Sequence, residues 1–352
     1  MTQVKFDLQL FATAYTDENV TAVVEKANIN STTTLTNEMR TFYNKTLLEY
    51  ASPNLIHEQF GQKSPIPRNG GKTINFRRFK TLANKAGATI VEGVTPKGSR
   101  LEVEKIETTP GQYGDWVSLT DVLELTAIDN VIVGATKALS AQAGLTLDTV
   151  VRNQLIAGGQ VQYAPIIGDA GATTPVTARN QLTAAALVTV KELFKAAATL
   201  KANNTPTIDG YYIAIVHPHV AYDIMQGAGD AWVDISKYKN PEMIYKGEIG
   251  SVGGIRVVES TNAKIFPATE SASSSTSVYA TLVFGQGAYG VVDIDGGGME
   301  LIVKPKGYGD DPLNQRSSVG WKAIETGVIL NDEYIVRLES GSTFAKTLPN
   351  GN

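Results

Sequence analysis

No cysteine occurs in the 352 residues. Disulfide scaffolds, Cys-ligated zinc, iron–sulfur clusters and thiol nucleophiles are thereby excluded. Histidine is nearly absent too. His57, His217 and His219 are the only three, a thin supply for metal ligation or proton transfer. Charged residues make up 19%, against the ~25% usual in globular chains, which argues against disorder. Neither sign of charge dominates: 31 Lys+Arg stand against 35 Asp+Glu, a net charge of −4. The basic surplus of a protein that grips nucleic-acid phosphates is missing, and so is an acidic tail. No run approaches the ~18 apolar residues of a helical membrane span. The opening residues carry one lysine before an apolar patch that Asp7 and Gln9 interrupt, so no secretory signal is expected.

What is present is a core. Hydrophobic residues are 42% and glycine adds 33 positions, enough for two structural units or one elaborate one. Residues 1–36 are polar and Thr-rich and read as an extended arm. Residues 37–60 hold a short helix, with Met39, Phe42, Tyr43, Leu47 and Tyr50 on one side and Pro53 ending it. Residues 61–118 read as a long hairpin. Pro65, Pro67, Gly70 and Gly71 make a turn, residues 73–79 and 101–109 alternate like strands, and residues 82–98 form the loop between them. A lone hairpin is marginally stable in water, so this one is expected to pack on something else.

Residues 119–208 carry the strongest helical signal. Ile132, Ala135, Leu139, Ala143, Leu147 and Val150 recur three or four apart over 129–155, with Asp148 and Arg152 as an i,i+4 pair and Gly158-Gly159 as the stop. Leu139, Leu147 and Val150 are its expected core residues. A second helix is expected over 183–201, with Leu187, Val190, Phe194 and Ala197 as its stripe. Residues 209–305 read as mixed: strands at 211–216, 255–258, 278–284, 290–294 and 299–303, and a short helix opened by Pro218. Residues 306–352 return as two strands, 321–330 and 334–338, expected to form a hairpin across Asn331, Asp332 and Glu333.

Four motifs invite chemistry and fail on context. Gly71-Lys72-Thr73 ends like a phosphate loop, but Ile66 stands where its first glycine belongs. Gly285 to Gly290 spells G-x-G-x-x-G after a strand, yet a strand follows where the dinucleotide site needs a helix. Asp293-x-Asp295-Gly296 lacks the later ligands of a calcium loop. His217 and His219, with Asp223 as a possible third ligand, could hold a metal, but the expected reading is local hydrogen bonding at a strand–helix corner. The basic group Arg77, Arg78, Lys80 and Lys85 lacks the aromatic interleaving of a nucleic-acid surface. It is expected to pair with Glu102, Glu104 and Glu107, in the same chain or in another.

The order of arm, hairpin, long helix, mixed domain and returning strands resembles the Hong Kong 97-type major capsid fold of tailed phages. At finer grain, residues 211–223 (YYIAIVHPHVAYD), 247–260 (GEIGSVGGIRVVES), 288–295 (AYGVVDID), 311–321 (DPLNQRSSVGW) and 330–337 (LNDEYIVR) resemble the major capsid protein family named after the coliphage N-four. The opening FDLQLFA, 6–12, is similar to the start of many phage capsid chains.

The resemblance implies an α+β chain with an N-arm, an E-loop hairpin, a P-domain carrying a spine helix, and an A-domain inserted over 209–305. It implies a major capsid protein that self-assembles, as hexamers and pentamers, into an icosahedral shell around double-stranded DNA bound without sequence specificity. Portal protein and a separate scaffolding protein are the implied partners. The virion capsid, and the host cytoplasm during assembly, are the implied locations. No catalytic residue, cofactor, metal or membrane contact is expected. Candidate inter-subunit contacts are Arg77, Arg78, Lys80, Lys85, Glu102 and Glu104. The prototype cross-links an E-loop lysine to a neighbour's asparagine; here no motif marks Lys85 or Lys97 as reactive. Two alternatives share parts of this reading: an encapsulin-type nanocompartment shell, and a nucleotide-binding enzyme using Gly285–Gly290.

Overall fold

The segment Tyr212 to Val216 is apolar at every position, so a strand built from it must be covered on both faces. The computed structural model of the chain does this with a sheet between helices. It describes residue 51 and residues 55–344, apart from 81, 83, 85–88, 91, 96–97, 128–130, 169–171, 229–232, 235–244, 246, 268–275, 296–297 and 308–310. The expected arm, nearly all of the expected helix after it, and Lys85 and Lys97 lie outside the described residues.

In chain order, β1 (Gln62–Lys63), β2 (Ile74–Phe79), β3 (Val103–Thr108) and β4 (Gly111–Thr120) lead to helices α1 (Asp121–Thr126) and α2 (Val131–Ala157). Short strands β5 (Gln160–Tyr163), β6 (Ile166–Ile167) and β7 (Thr173–Thr174) precede α3 (Val190–Ala202). Then come β8 (Tyr212–Val216), α4 (Pro218–Ala228), β9 (Val233–Asp234), β10 (Glu248–Val252), β11 (Ile255–Glu259), β12 (Ile265–Phe266) and β13 (Val278–Phe284). The chain closes with β14 (Tyr289–Asp293), β15 (Glu300–Lys304), β16 (Arg316–Ile329) and β17 (Ile335–Ser340). Two compact units result, 51–113 with 144–298 and 324–352, and 114–143 with 299–323. Strands β4 and β16 and helix α2 each belong in part to both.

The larger unit is built on an eight-stranded sheet, β5-β17-β13-β8-β11-β10-β9, with β12 beside β13. Alternation along β8 assigns its side chains. Tyr212, Ala214 and Val216 join Leu193, Ala197 and Leu200 of α3 and Val220 and Ile224 of α4. Ile213 and Ile215 turn to the other face, where Val151, Leu155 and Ile156 of α2 meet Leu282, Phe284, Tyr289 and Val291. A second ladder in this unit runs β1-β14-β16, with Tyr289 opposite Ile329 and Asp293 opposite Glu325.

The smaller unit pairs β15 with the first half of β16, Glu300 opposite Lys322 through Lys304 opposite Ser318, and β4 also pairs with β16. The fit between them is close: a Cβ on Gly114 would lie 2.6 Å from the Trp321 carbonyl oxygen. Thr120 caps α1 by accepting from the Leu123 N–H.

Helix α2 keeps its expected register at Leu139 and Leu147, both buried, while Val150 is half-buried and Val151 is fully covered instead. A period of 3.6 rotates the stripe by one position over this length. Within the helix Thr136, Ser140 and Thr149 satisfy their hydroxyls by donating to carbonyls four residues back. Gly159, at φ +87°, takes the left-handed position past the end.

Three expectations need correction. The second helix starts at Val190, not near 183. Residues before it form no helix but a turn, closed by Ala186 N–H to the Thr183 carbonyl, and an irregular stretch, in which the Ala186 carbonyl accepts from Gly341 N–H and the Ala185 carbonyl from Ile167 N–H. Its buried stripe is Leu193, Ala196, Ala197 and Leu200, and Phe194 lies outward over Gly253, whose hydrogen leaves room for the ring. The turn at residues 331–333 is real, but it joins no hairpin: β16 pairs with β14 and β15, whereas β17 pairs with β13 and β5.

Gly144 on α2 abuts the segment that precedes the hairpin, where an added Cβ would sit 2.5 Å from the Ala51 carbonyl oxygen. Helix propensity alone favours Gly144→Ala by ~1 kcal/mol. The backbone clash dominates, so this variant is expected to lower stability by about 1–3 kcal/mol in chemical denaturation. Leu147→Asp, which buries an unpaired carboxylate, is expected to give no soluble folded chain. A variant Gly144→Ala more stable than the parent would show that α2 can draw away from Ala51.

Candidate functional site

A carboxylate on the covered face of a helix must find donors. Asp148, fully buried on α2, finds three. Its Oδ1 accepts the His57 backbone N–H at 2.7 Å. Its Oδ2 receives His57 Nδ1 at 2.8 Å and Asn262 Nδ2 at 2.7 Å. Asn262 in turn accepts from Arg152 Nη1 through its carbonyl oxygen at 2.7 Å and its Oδ1 at 2.8 Å. The Tyr289 hydroxyl donates to the His57 carbonyl at 2.5 Å. Asp148 and Arg152 therefore meet on Asn262, not on each other as a surface i,i+4 pair would. Burial pulls the Asp148 carboxyl up, but the His57 ring, the Asn262 amide and the His57 N–H together hold it below the usual carboxylate range. This centre ties α2, the β14 strand, the loop after β11 and the segment before β1. It positions the chain that leads into the hairpin.

The hairpin is β2 against β3, with Arg78 opposite Glu104 and Arg77 opposite Lys105. Ile74, Phe76 and Ile106 turn inward onto Ile66, Val292 and Val328. Arg78 pairs with Glu104 at 2.6 Å and reaches the Leu330 carbonyl; Lys80 pairs with Glu102 at 3.3 Å. Arg77 is exposed on the opposite side and makes no ion pair among the described residues. The hairpin's apolar residues are not all covered. Phe79, Leu82, Ile90, Val94, Leu101 and Val103 are each half or more exposed. A groove of about 910 Å³ runs beneath, lined by Phe76, Arg78, Phe79, Asn203, Leu330 and Tyr334 among others.

The motif candidates take structural places. Gly71 to Thr73 leads straight into β2 after a turn closed by Gly70 N–H to the Pro67 carbonyl. Gly285 to Gly290 joins β13 to β14, so a strand follows it and the dinucleotide reading is removed. His219 bonds the Tyr279 hydroxyl through Nδ1 at 2.9 Å, and His217 Nδ1 accepts the His219 N–H. Burial, with His219 adding to it, lowers His217 to about 4. Asp223 is taken by the Ser342 and Thr343 hydroxyls and the Thr343 N–H. His57 carried no sequence signal: it stands apart from the other histidines and 91 residues from its partner.

A family model described as phage capsid protein matches residues 103–338. No curated protein sequence matches. Among solved structures, the capsid of Ralstonia phage GP4 is similar with a TM-score of 0.59 and 17% identity, over 83% of this chain and 89% of that one. The capsid of cyanophage P-SCSP1u gives 0.57 and 18%, over 80% and 87%. An encapsulin complex from Synechococcus elongatus gives 0.51 at only 9%, over 81% and 87%. The likeness to these shells establishes the Hong Kong 97-type fold expected from the sequence.

Asp148→Ala leaves the His57 and Asn262 donors buried without an acceptor, at a cost of about 3–5 kcal/mol. The sign with pH is set by the depressed carboxyl. Its contribution is full above the unfolded carboxylate range and is lost as pH falls through the folded value. Denaturation from pH 7 to pH 3 is expected to show a steeper acid loss in the parent than in Asp148→Asn. Parallel curves would mean that Asp148 is not ionised in the fold.

Proposed function

The chain belongs to the phage capsid protein family, and we propose that its copies close, through rings of six and of five, into an icosahedral shell around packaged double-stranded DNA. As a member it is a structural protein of the virion capsid that assembles with itself. The observation that carries the finer reading is the hairpin. One flank is seated on its own chain through Phe76 and Ile106, while Phe79, Leu82, Ile90, Val94, Leu101 and Val103 stay in water. An apolar string of that size on a two-stranded ribbon is the mark of a surface covered by a partner.

Rings use heterologous contacts, each copy offering one surface to the next, and they close when the rotation closes. Residues 61–118 serve as the E-loop, 119–208 with 306–352 as the P-domain, and 209–305 as the A-domain. Residues 1–36, outside the described residues, are assigned as the N-terminal arm. Arg77 is the foremost charged contact to a neighbour, with Lys85 further along the loop. Arg78, Lys80, Glu102 and Glu104 first hold the hairpin together within the chain, and offer a neighbour what polar capacity they retain. A portal protein and a separate scaffolding protein complete the assembly in the host cytoplasm. DNA is held loosely: a net charge of −4 suits a container whose contents must leave.

The test separates seating from assembly. Arg77→Glu is expected to leave thermal melting of the dispersed subunit unchanged and to reduce shell yield by sedimentation several-fold. Arg78→Glu, facing Glu104, is expected to lower the melting temperature by a few degrees, and the swap Arg78→Glu with Glu104→Arg to restore it; exposed pairs of this kind contribute ~0–1 kcal/mol. Unchanged yield with Arg77→Glu, together with a chain that stays monomeric by analytical ultracentrifugation at every salt and concentration, would overturn the reading.

A further inference from the structure

Among the buried carboxylates of the larger unit, Glu325 is set apart by its surroundings. Glu325, on β16, is 7% exposed, and its Oε1 has no hydrogen-bond partner among the described residues. Its direct cross-strand neighbour on β14 is Asp293, a like charge. From the segment leading into β1 comes Glu58, from β1 itself Lys63, and from α2 Asp148. The charges that face Glu325 are thus three carboxylates and one ammonium. That ammonium is already engaged, Lys63 Nζ lying 2.6 Å from Glu58.

The strand held beside this cluster is short. β1 pairs with β14 through Gln62 opposite Gly290 and Lys63 opposite Val291, continued by Ser64 N–H to the Val291 carbonyl and a bridge from Ile66 to Ile294. This is the root of the hairpin. An ionised Glu325 would add a fourth negative charge where only Lys63 can answer it. Detaching β1 would draw away both Glu58 and Lys63, whose effects on Glu325 oppose each other, and would admit water, which relieves the burial that weighs most.

We propose that Glu325 holds a proton while the hairpin root is seated on β14, and that losing this proton on the alkaline side releases β1. Burial, with Glu58, Asp293 and Asp148 adding to it and Lys63 opposing, raises the Glu325 carboxyl from 4.5 to about 8. A raised carboxyl binds its proton more tightly in the seated state. Seating is therefore strongest below about pH 4.5, weakens as pH rises to about 8, and changes no further above that. Within the window the release equilibrium grows by up to about tenfold per pH unit.

Trypsin reads the root directly, because Lys63, Arg68 and Lys72 are its cleavage sites there. Cleavage of the dispersed subunit at these bonds is measured from pH 6 to pH 9 and divided by that of a synthetic peptide of residues 60–75. The parent is expected to rise at least about tenfold and level off near pH 8, while Glu325→Gln stays flat. A flat parent profile, or an equal rise in Glu325→Gln, overturns the proposal. Should the Gln variant fail to fold, Asp293→Asn replaces it. Removing that cross-strand carboxylate is expected to move the plateau to lower pH, and an unmoved plateau overturns the proposal as well.

Discussion

Asp148 carries a full charge on the covered face of the long helix, and the arrangement around it is what such a charge demands. Three donors converge from two distant segments, His57 before the hairpin and Asn262 after β11. Arg152, one turn on, is held by Asn262 in turn. Apolar residues could fill the same volume at less desolvation cost. What they would lack is direction: a carboxylate accepts only where donors are aimed, so the helix, the loop and the root of the hairpin are fixed in one register. From that register follow the β1-β14 ladder, the seating of Phe76 and Ile106, and the outward display of the hairpin's other flank.

Much of this was legible in the sequence where a single physical signal decided the outcome. The run Val278 to Phe284 is apolar at every position but Thr281 and became a central strand, and the 3.6 periodicity of Leu139, Ala143 and Leu147 became the buried face of α2. Signals that mark a local event without its partner misled. Asn331 to Glu333 turn the chain, yet turn chemistry is silent on which strand comes next to which. β17 instead joins β13, reached by pairing across more than fifty residues of sequence. The stretch ahead of α3 reads as helix because alanine and leucine favour one, but hydrogen bonds from Gly341 and Ile167 take its carbonyls and the chain turns instead.

The polar centre was the least legible part, for a reason of principle. Hydrophobic periodicity is a property of one segment. A buried ion is a property of several, and nothing near His57 announces Asp148. The i,i+4 spacing of Asp148 and Arg152 was visible and suggested that the two pair with each other. Burial changes its meaning: on a solvated face the two charges screen one another, whereas here each needs hydrogen bonds of its own, and Asn262 serves both.

Asp148 and Glu325 occupy the same unit, both nearly sealed from water, yet their environments drive them to opposite protonation states. Desolvation pushes both carboxyls toward the neutral form. Asp148 escapes because hydrogen bonds from two side chains and one backbone amide are directed at its oxygens. Glu325 has an oxygen with no donor and three carboxylates around it, so the proton itself becomes the neutralising partner. Donor count, not depth of burial, separates the two. A permanent charge suits a joint that must keep one geometry, and a removable proton suits a joint that must let go. The first sits where helix, loop and chain are bound into one core, and the second sits beside a strand only two residues long.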